Sequence, residues 1–301
     1  MVLRQSGTVW TTGGNTRGQL GDGSSKSKVA FAKVMTDAKS VAAGYYHTVV
    51  LKQDKTVLTT GWNNVGQLGA SVDGYSKMFI QVMTDAQFVG AGAYHTLVIR
   101  HEKLYGCGDI GAKFVSGAGS TSTEFVLMES NVHFAAGGLG FTLVVKDGGS
   151  VWATGKNGYG QLGTQNKEDQ DSFVKVVEGD AISVAAGAEH SLVLLKDGRV
   201  LASGRSKFIG VGMHAQDKMV FTQVASAAAA IIAGPSHSMI ITRGGGVDVT
   251  GSNSYGQLGL GDTVVHKYEY ARVVSDGVRV AAAGNSHALI QKKDGSVWLT
   301  G

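Results

Sequence analysis

Among 301 residues the chain carries one cysteine, Cys107, and one proline, Pro235. A single thiol can form no intrachain disulfide and no thiolate metal cluster, which fits a reducing cytoplasmic or nuclear setting. Long apolar runs are also missing. No stretch of about 18 apolar residues could span a bilayer, and Met1–Trp10 lacks the apolar centre of a secretion signal, so no membrane association is expected. Charge is sparse at 17%, the net value is +4, and lysine and arginine never gather in a block of five. Phosphate binding needs a clustered basic surface, so nucleic acid is not an expected partner. HExxH, CxxC and nucleophile-elbow motifs are absent, and the sequence calls for no metal, cofactor or catalytic residue.

Glycine, by contrast, is abundant at 45 residues, about twice ordinary usage, and apolar residues make up 43% of the chain. The glycines are periodic. Those ending V-x-x-[TS]-G-like segments are Gly13, Gly61, Gly108, Gly155, Gly204, Gly251 and Gly301, spaced 47–50 residues apart. A second marker keeps the same period: AGYYH, AGAYH, AGAEH, AGPSH and AGNSH end at His47, His95, His190, His237 and His287, with Phe141 in the corresponding place of the remaining copy. Two independent markers sharing one period define a repeat architecture. The units run approximately 13–60, 61–107, 108–154, 155–203, 204–250 and 251–300 within a single domain, 1–301.

Each unit reads as four short strands. In the specimen around His190, HSLVLLK and RVLASG flank a Lys196–Gly198 hairpin turn, and VFTQVA and AAIIAG follow. No segment holds a 3.6-residue apolar stripe over three turns. Strands such as TVVL are apolar on both faces, as in a sheet sandwiched between two others. The expected fold is all-β, a propeller of four-stranded blades whose core lies between blades.

The two markers together, G-x-N-x-x-G-Q-L-G and A-[AG]-G-x-x-H-[TSA]-[LV], resemble the repeat of the regulator of chromosome condensation family. The resemblance covers essentially the whole chain and implies a seven-bladed β-propeller. Six intervals are present, and the chain opens with GTVWTTG and closes with GSVWLTG, the same strand twice. Six repeats with an extra C-terminal strand, in an incomplete ring cut from a seven-bladed member, are therefore expected, and one further unit should raise the melting temperature. In family terms such repeats serve as non-catalytic protein-interaction scaffolds, also inside larger proteins such as HECT-type ubiquitin ligases. The alternative is guanine-nucleotide exchange on a small GTPase of the Ran type. No unit exceeds 50 residues, which leaves no room for the protruding hairpin that the exchange factor inserts in one blade. Ultraviolet sensing, as in a plant member, would call for tryptophans near the AGxxH segments, where the sequence writes Tyr45, Tyr46 and Tyr94.

The repeated loop residues read as structural. Asn15, Asn63, Asn157 and Asn253 are expected to bond backbone two residues on, Gln19, Gln67, Gln161 and Gln257 to bridge neighbouring chain, and Leu20, Leu68, Leu162 and Leu258 to be buried. The five recurring histidines are expected to be buried, hydrogen-bonded joints. Function belongs where the repetition breaks. Two units have lost GQLG and carry Lys-Phe instead, at Lys113–Phe114 and Lys207–Phe208. These four residues, with Trp62, Tyr159 and Tyr255, are the candidate contacts for a protein partner, since aromatic and cationic side chains dominate interface hot spots; the alternative is that Phe114 and Phe208 only fill the space left by the missing leucine. Asp248 stands where the other copies have Trp or Leu, so it needs solvent or a partner.

Overall fold

In the computed structural model, residues 1–111, 121–261 and 264–301 are described, and they form 26 β-strands with two single-turn 3₁₀ segments, Asp147–Gly149 and Ser206–Phe208. The strands make seven antiparallel sheets: five with four strands, while the first and the last have three. The expected count of six is thereby corrected. Seven strand-closing glycines bound six intervals but belong to seven sheets, and Val297–Thr300 is the third strand of a seventh sheet rather than a supernumerary one. The first sheet consists of Val2–Leu3, Val9–Gly13 and Lys28–Met35; the seventh of Val278–Ala283, Ala288–Lys292 and Val297–Thr300. The chain divides into two compact units, Met1–Thr142 and Leu143–Gly301.

A four-stranded sheet is a simple meander. In the fifth, Ala181–Ala186, His190–Leu195, Val200–Gly204 and Lys218–Ala225 pair in chain order, and Lys196–Gly198 makes the hairpin turn. The third strand ends on a glycine for a steric reason. Gly204 has φ +102°, and a Cβ there would overlap the Glu189 carbonyl and lie 2.7 Å from His190 Cα. Gly61, Gly108, Gly155 and Gly251 hold φ between +93° and +110°, a conformation closed to other residues. The period read from the sequence is thus a period of enforced glycines.

Packing explains the strands that are apolar on both faces. In Met1–Thr142, Val49, Leu51 and Val57 of the second sheet pack on Ala86, Val89 and Val98, whereas Val50, whose side chain points the other way, packs on Val9 of the first sheet. In Leu143–Gly301, Leu192, Leu194, Val200 and Ala202 of the fifth sheet meet Ala228, Ile231 and Ile240 of the sixth. Met239 and Ile241 face instead toward Val278, Ala288 and Ile290 of the seventh. Each such aliphatic side chain contributes roughly 1.5–3 kcal/mol by leaving water. Asp248 finds a partner as well: Arg272, across the strand pair, holds its carboxylate with Nε and, at 3.1 Å, with Nη2.

Candidate partner-binding surface

The loops written GxNxxGQLG follow the third strand of their sheets and are held from inside by the asparagine. Asn157 is fully buried; its Oδ1 accepts the Leu162 N–H at 2.9 Å, and its Nδ2 donates to Thr164 Oγ1 at 2.9 Å and to the carbonyls of Asn166 and Glu168 at 3.0 and 3.1 Å. Asn15, Asn63 and Asn253 accept from Leu20, Leu68 and Leu258 in the same way at 2.9–3.0 Å. The reach is five residues rather than the expected two, because the side chain spans the closed loop instead of forming a local turn. Leu20, Leu68, Leu162 and Leu258 are buried beneath it.

The glutamine side chains also act locally. Oε1 of Gln19, Gln67, Gln161 and Gln257 accepts the N–H two residues earlier, on Arg17, Val65, Tyr159 and Tyr255, at 2.9–3.2 Å. Bridging is done by the main chain instead. The carbonyls of Gln19, Gln67 and Gln161 accept hydroxyls from Thr48, Thr96 and Ser191 in the next sheet at 2.7, 2.6 and 2.6 Å.

The residue bearing each hydroxyl follows a histidine. His47, His95, His190 and His237 are buried, and a Cβ on Gly44, Gly92, Gly187 or Gly234 would overlap the ring, which is why glycine precedes each by three positions. His190 Nε2 lies 2.9 Å from Ser238 Oγ and His95 Nε2 lies 3.4 Å from Thr142 Oγ1. The ring nitrogens of His47 and His237 have no hydrogen-bond partner among the described residues, so the expected hydrogen-bonded joint holds for His95 and His190 and not for these two. Burial, reinforced by a neighbouring histidine for all but His95, lowers these imidazoles to about 3 for His47 and His190 and about 4 for His95 and His237, so all four are neutral near pH 7. His287, expected to be buried with the rest, is exposed. It lies in the seventh sheet, and Gly284, three positions before it, meets its ring as in the other copies.

The degenerate loop of the fifth sheet differs from expectation. Phe208 is 8% exposed, so it is no surface anchor. Its carbonyl takes the glutamine's role, accepting Ser238 Oγ–H at 2.7 Å, and the fully buried Ile209 fills the leucine seat. Lys207 is exposed, and its carbonyl is 2.7 Å from His266 Nε2. Lys113 and Phe114 lie outside the described residues.

Variation concentrates at the corner where the residue after the strand-closing glycine meets the residue before the histidine. One backbone bond recurs there in the second, third, fifth and sixth sheets: Trp62 N–H donates to the Tyr46 carbonyl at 2.8 Å, Asp109 to Tyr94 at 2.9 Å, Arg205 to Glu189 at 2.9 Å and Ser252 to Ser236 at 2.8 Å. The side chains change completely. Arg205 forms an ion pair with Glu189 and stands over the rings of Tyr159 at 4.9 Å and Phe208 at 5.4 Å. Trp62 meets Tyr46 and Tyr94 edge to face at 6.2 and 5.7 Å, and Tyr94 meets Tyr45 at 5.3 Å. The sequence offers Trp62 as a candidate contact and shows only tyrosines near the AGxxH segments; the corner bond brings the tryptophan among them. Tyr255, 70% exposed, projects from the loop after the sixth sheet's third strand, while Tyr159 is half-buried under Arg205. Among the described residues, no group of three or more histidine, cysteine or carboxylate side chains could hold a metal ion, and no helix is long and apolar enough to cross a membrane.

Comparison with known proteins agrees with this architecture. The family described as Regulator of chromosome condensation (RCC1) repeat matches residues 38–67, 132–161, 181–208 and 229–257 in one form and 6–51 and 148–194 in another. The mouse X-linked retinitis pigmentosa GTPase regulator is 36% identical over 91 residues, covering 29% of this chain and 9% of the relative. A bovine secretion-regulating guanine nucleotide exchange factor is 28% identical over 165 residues, covering 50% and 36%. The chain thus corresponds to about a tenth and about a third of these two curated relatives. Among solved structures, Prp20p from Saccharomyces cerevisiae, described with its binding to Gsp1p and histones, superposes with a TM-score of 0.86 at 17% identity over 99% of this chain and 82% of its own. The repeated asparagine-centred loops, the recurring glycine–histidine segments and the matched residues together place this chain in the RCC1 repeat family, with the β-propeller fold of four-stranded blades.

Proposed function

We propose that the protein is a non-catalytic, intracellular interaction module that binds a partner protein through the corners and loops at the glycine-rich ends of its sheets. One observation carries this reading: a backbone bond repeated at four corners supports unrelated side chains, Tyr46–Trp62, Tyr94–Asp109, Glu189–Arg205 and Ser236–Ser252. A position conserved only for folding would repeat its side chain along with its backbone, as the asparagines and leucines do. Freed from the frame, the corner residues supply aromatic and charged groups of the kind that anchor interfaces. Affinity capture with the wild-type chain and with Trp62→Ala and Tyr255→Ala tests it. Recovery of the same partners in the same yield by all three would count against the corners as the binding surface.

Exchange of guanine nucleotide on a small GTPase is the second reading, favoured by the similarity to the bovine exchange factor and to Prp20p. It places the GTPase on the same surface. Release of a fluorescent nucleotide from a panel of small GTPases decides between the two: acceleration at catalytic concentrations of the chain establishes exchange, and no acceleration leaves the scaffold.

A further inference from the structure

We infer that the seventh sheet binds an extended segment of a partner polypeptide as its outer strand: the segment's backbone pairs with Val297–Thr300 and its aromatic residue enters the cavity beside Gly259. This surface is separate from the corners. In each of the first six sheets the third strand is flanked by an outer strand, and the register is constant. Opposite Val200, Leu201, Ala202 and Gly204 stand Ala225, Gln223, Thr222 and Lys218; opposite Val247, Asp248, Val249 and Gly251 stand Val274, Arg272, Ala271 and Lys267. Val297, Trp298, Leu299 and Gly301 hold the same places in the seventh sheet, and no described strand pairs with their outer side.

The exposure of this strand is exceptional. Val297, Trp298 and Leu299 are 55, 56 and 70% exposed, whereas their counterparts Val200 and Ala202 are fully buried. Edges meant for solvent carry charge, proline or a bulge, and Val297–Thr300 has none of these. The other sheets show what belongs there. A Cβ built on Gly21, Gly69, Gly163 or Gly210 would meet the ring of Phe79, Phe125, Phe221 or Tyr270, from the outer strand of the following sheet, at 2.3–2.6 Å. Gly259 is the matching glycine of the sixth sheet's loop, and the nearest atom to a Cβ there is Thr300 Oγ1 at 3.4 Å. In place of a ring lies a cavity of about 470 Å³, lined by Leu258, Gly259, Val273, Ala288, Ile290 and Leu299.

Register fixes the chemistry of the occupant. Phe221 directly precedes the residue opposite Ala202 and lies four positions before the one opposite Val200. The incoming segment therefore carries an aromatic residue just before the position facing Leu299, and an aliphatic residue four positions later, facing Val297. Strand addition of this kind draws affinity from backbone bonds and specificity from the pocket that takes the side chain. A second copy of the chain is a poor donor, because each of its six outer strands is already paired within its own sheet.

The test uses the full 301-residue chain and the peptide Ac-KMVFTQVA-NH₂, a copy of residues 218–225, with the four tryptophan indole N–H resonances as reporters. Saturable movement of the Trp298 resonance is expected, with those of Trp10, Trp62 and Trp152 unmoved. The counterpart with alanine for phenylalanine should bind about tenfold more weakly, and the rearranged peptide Ac-VKATMQFV-NH₂ should not bind. Leu299→Asp, at an exposed position, should weaken binding about fivefold while the resonances of Trp10, Trp62 and Trp152 keep their places. Should that variant fail to fold, the peptide series on the wild-type chain decides alone. No response at Trp298, equal binding of the alanine or rearranged peptide, or uniform movement of all four tryptophans would overturn the inference. So would a Trp298 resonance that moves with protein concentration alone, which would assign the edge to a second copy.

Discussion

His190 Nε2 donates to Ser238 Oγ across 2.9 Å, and Ser238 in turn directs its hydroxyl hydrogen to the Phe208 carbonyl at 2.7 Å. One serine thereby ties the histidine of the fifth sheet and the loop of the fifth sheet to the second strand of the sixth. Ser238→Ala leaves a buried imidazole N–H and a buried carbonyl unpaired, and each unmet group costs about 1–3 kcal/mol. Ser238→Thr should lose much less, because Thr48, Thr96 and Thr142 occupy the same place elsewhere in the chain. Urea unfolding of the two variants checks the ordering; equal loss in both would contradict the relay.

Acid should destabilise the fold before its carboxylates titrate. The four buried histidines are lowered to about 3 or 4 by burial, while in the unfolded chain they take up a proton near 6.5. A depressed folded value means that the stabilisation is complete above about 6.5 and is lost as pH falls toward 4, at a rate on the order of 1 kcal/mol per histidine per pH unit. Denaturant midpoints measured at pH 7.5, 6.5 and 5.5 should fall progressively. A midpoint that stays constant over this range would show that the rings do not remain neutral and buried.

Glycines in this chain are not equivalent. Gly204→Ala places a Cβ against the Glu189 carbonyl at φ +102° and is expected to cost more than about 2 kcal/mol, whereas Gly158, with nothing within 4 Å of a built Cβ and no positive φ, should accept alanine with a change under about 1 kcal/mol. Differential scanning calorimetry of the two variants makes the comparison.

The Asp248–Arg272 pair lies at the surface, with side-chain exposures of 22% and 49%. Its bidentate geometry is favourable, yet solvent screening holds its worth to about 1 kcal/mol or less. Asp248→Leu, which restores the residue type of other copies, should therefore leave the melting temperature within a few degrees of wild type; a collapse of the fold would mean that the carboxylate is required.

The period, the strands and the inter-sheet core were legible in the sequence because glycine at φ near +100° cannot be replaced and therefore repeats. The roles of the loop residues were legible only in outline. Asn157 spans five residues because the loop closes around it, and Gln161 bridges through its carbonyl, facts that depend on three-dimensional closure and not on spacing. For Phe208 the sequence offers either a surface aromatic beside Lys207 or a filler of the space left by the missing leucine; the side chain turns inward, under Arg205 and 5.7 Å from His190, with Ile209 in the leucine seat. The surroundings of Trp62 were not legible. Nothing in its neighbourhood of sequence announces Tyr46 and Tyr94, and only the backbone bond at the corner assembles them. The seventh sheet was hidden by counting intervals instead of strands.

A repeated frame carries variable corners, and one paired measurement tests that separation: melting temperature and partner recovery determined side by side for Asn157→Ala and Trp62→Ala. The frame variant loses the bonds to Leu162, Thr164, Asn166 and Glu168 and should melt lower while keeping its partner at temperatures where it is folded. The corner variant should melt within a few degrees of wild type and lose its partner. A Trp62→Ala chain that is folded and recovers the partner undiminished would contradict the account.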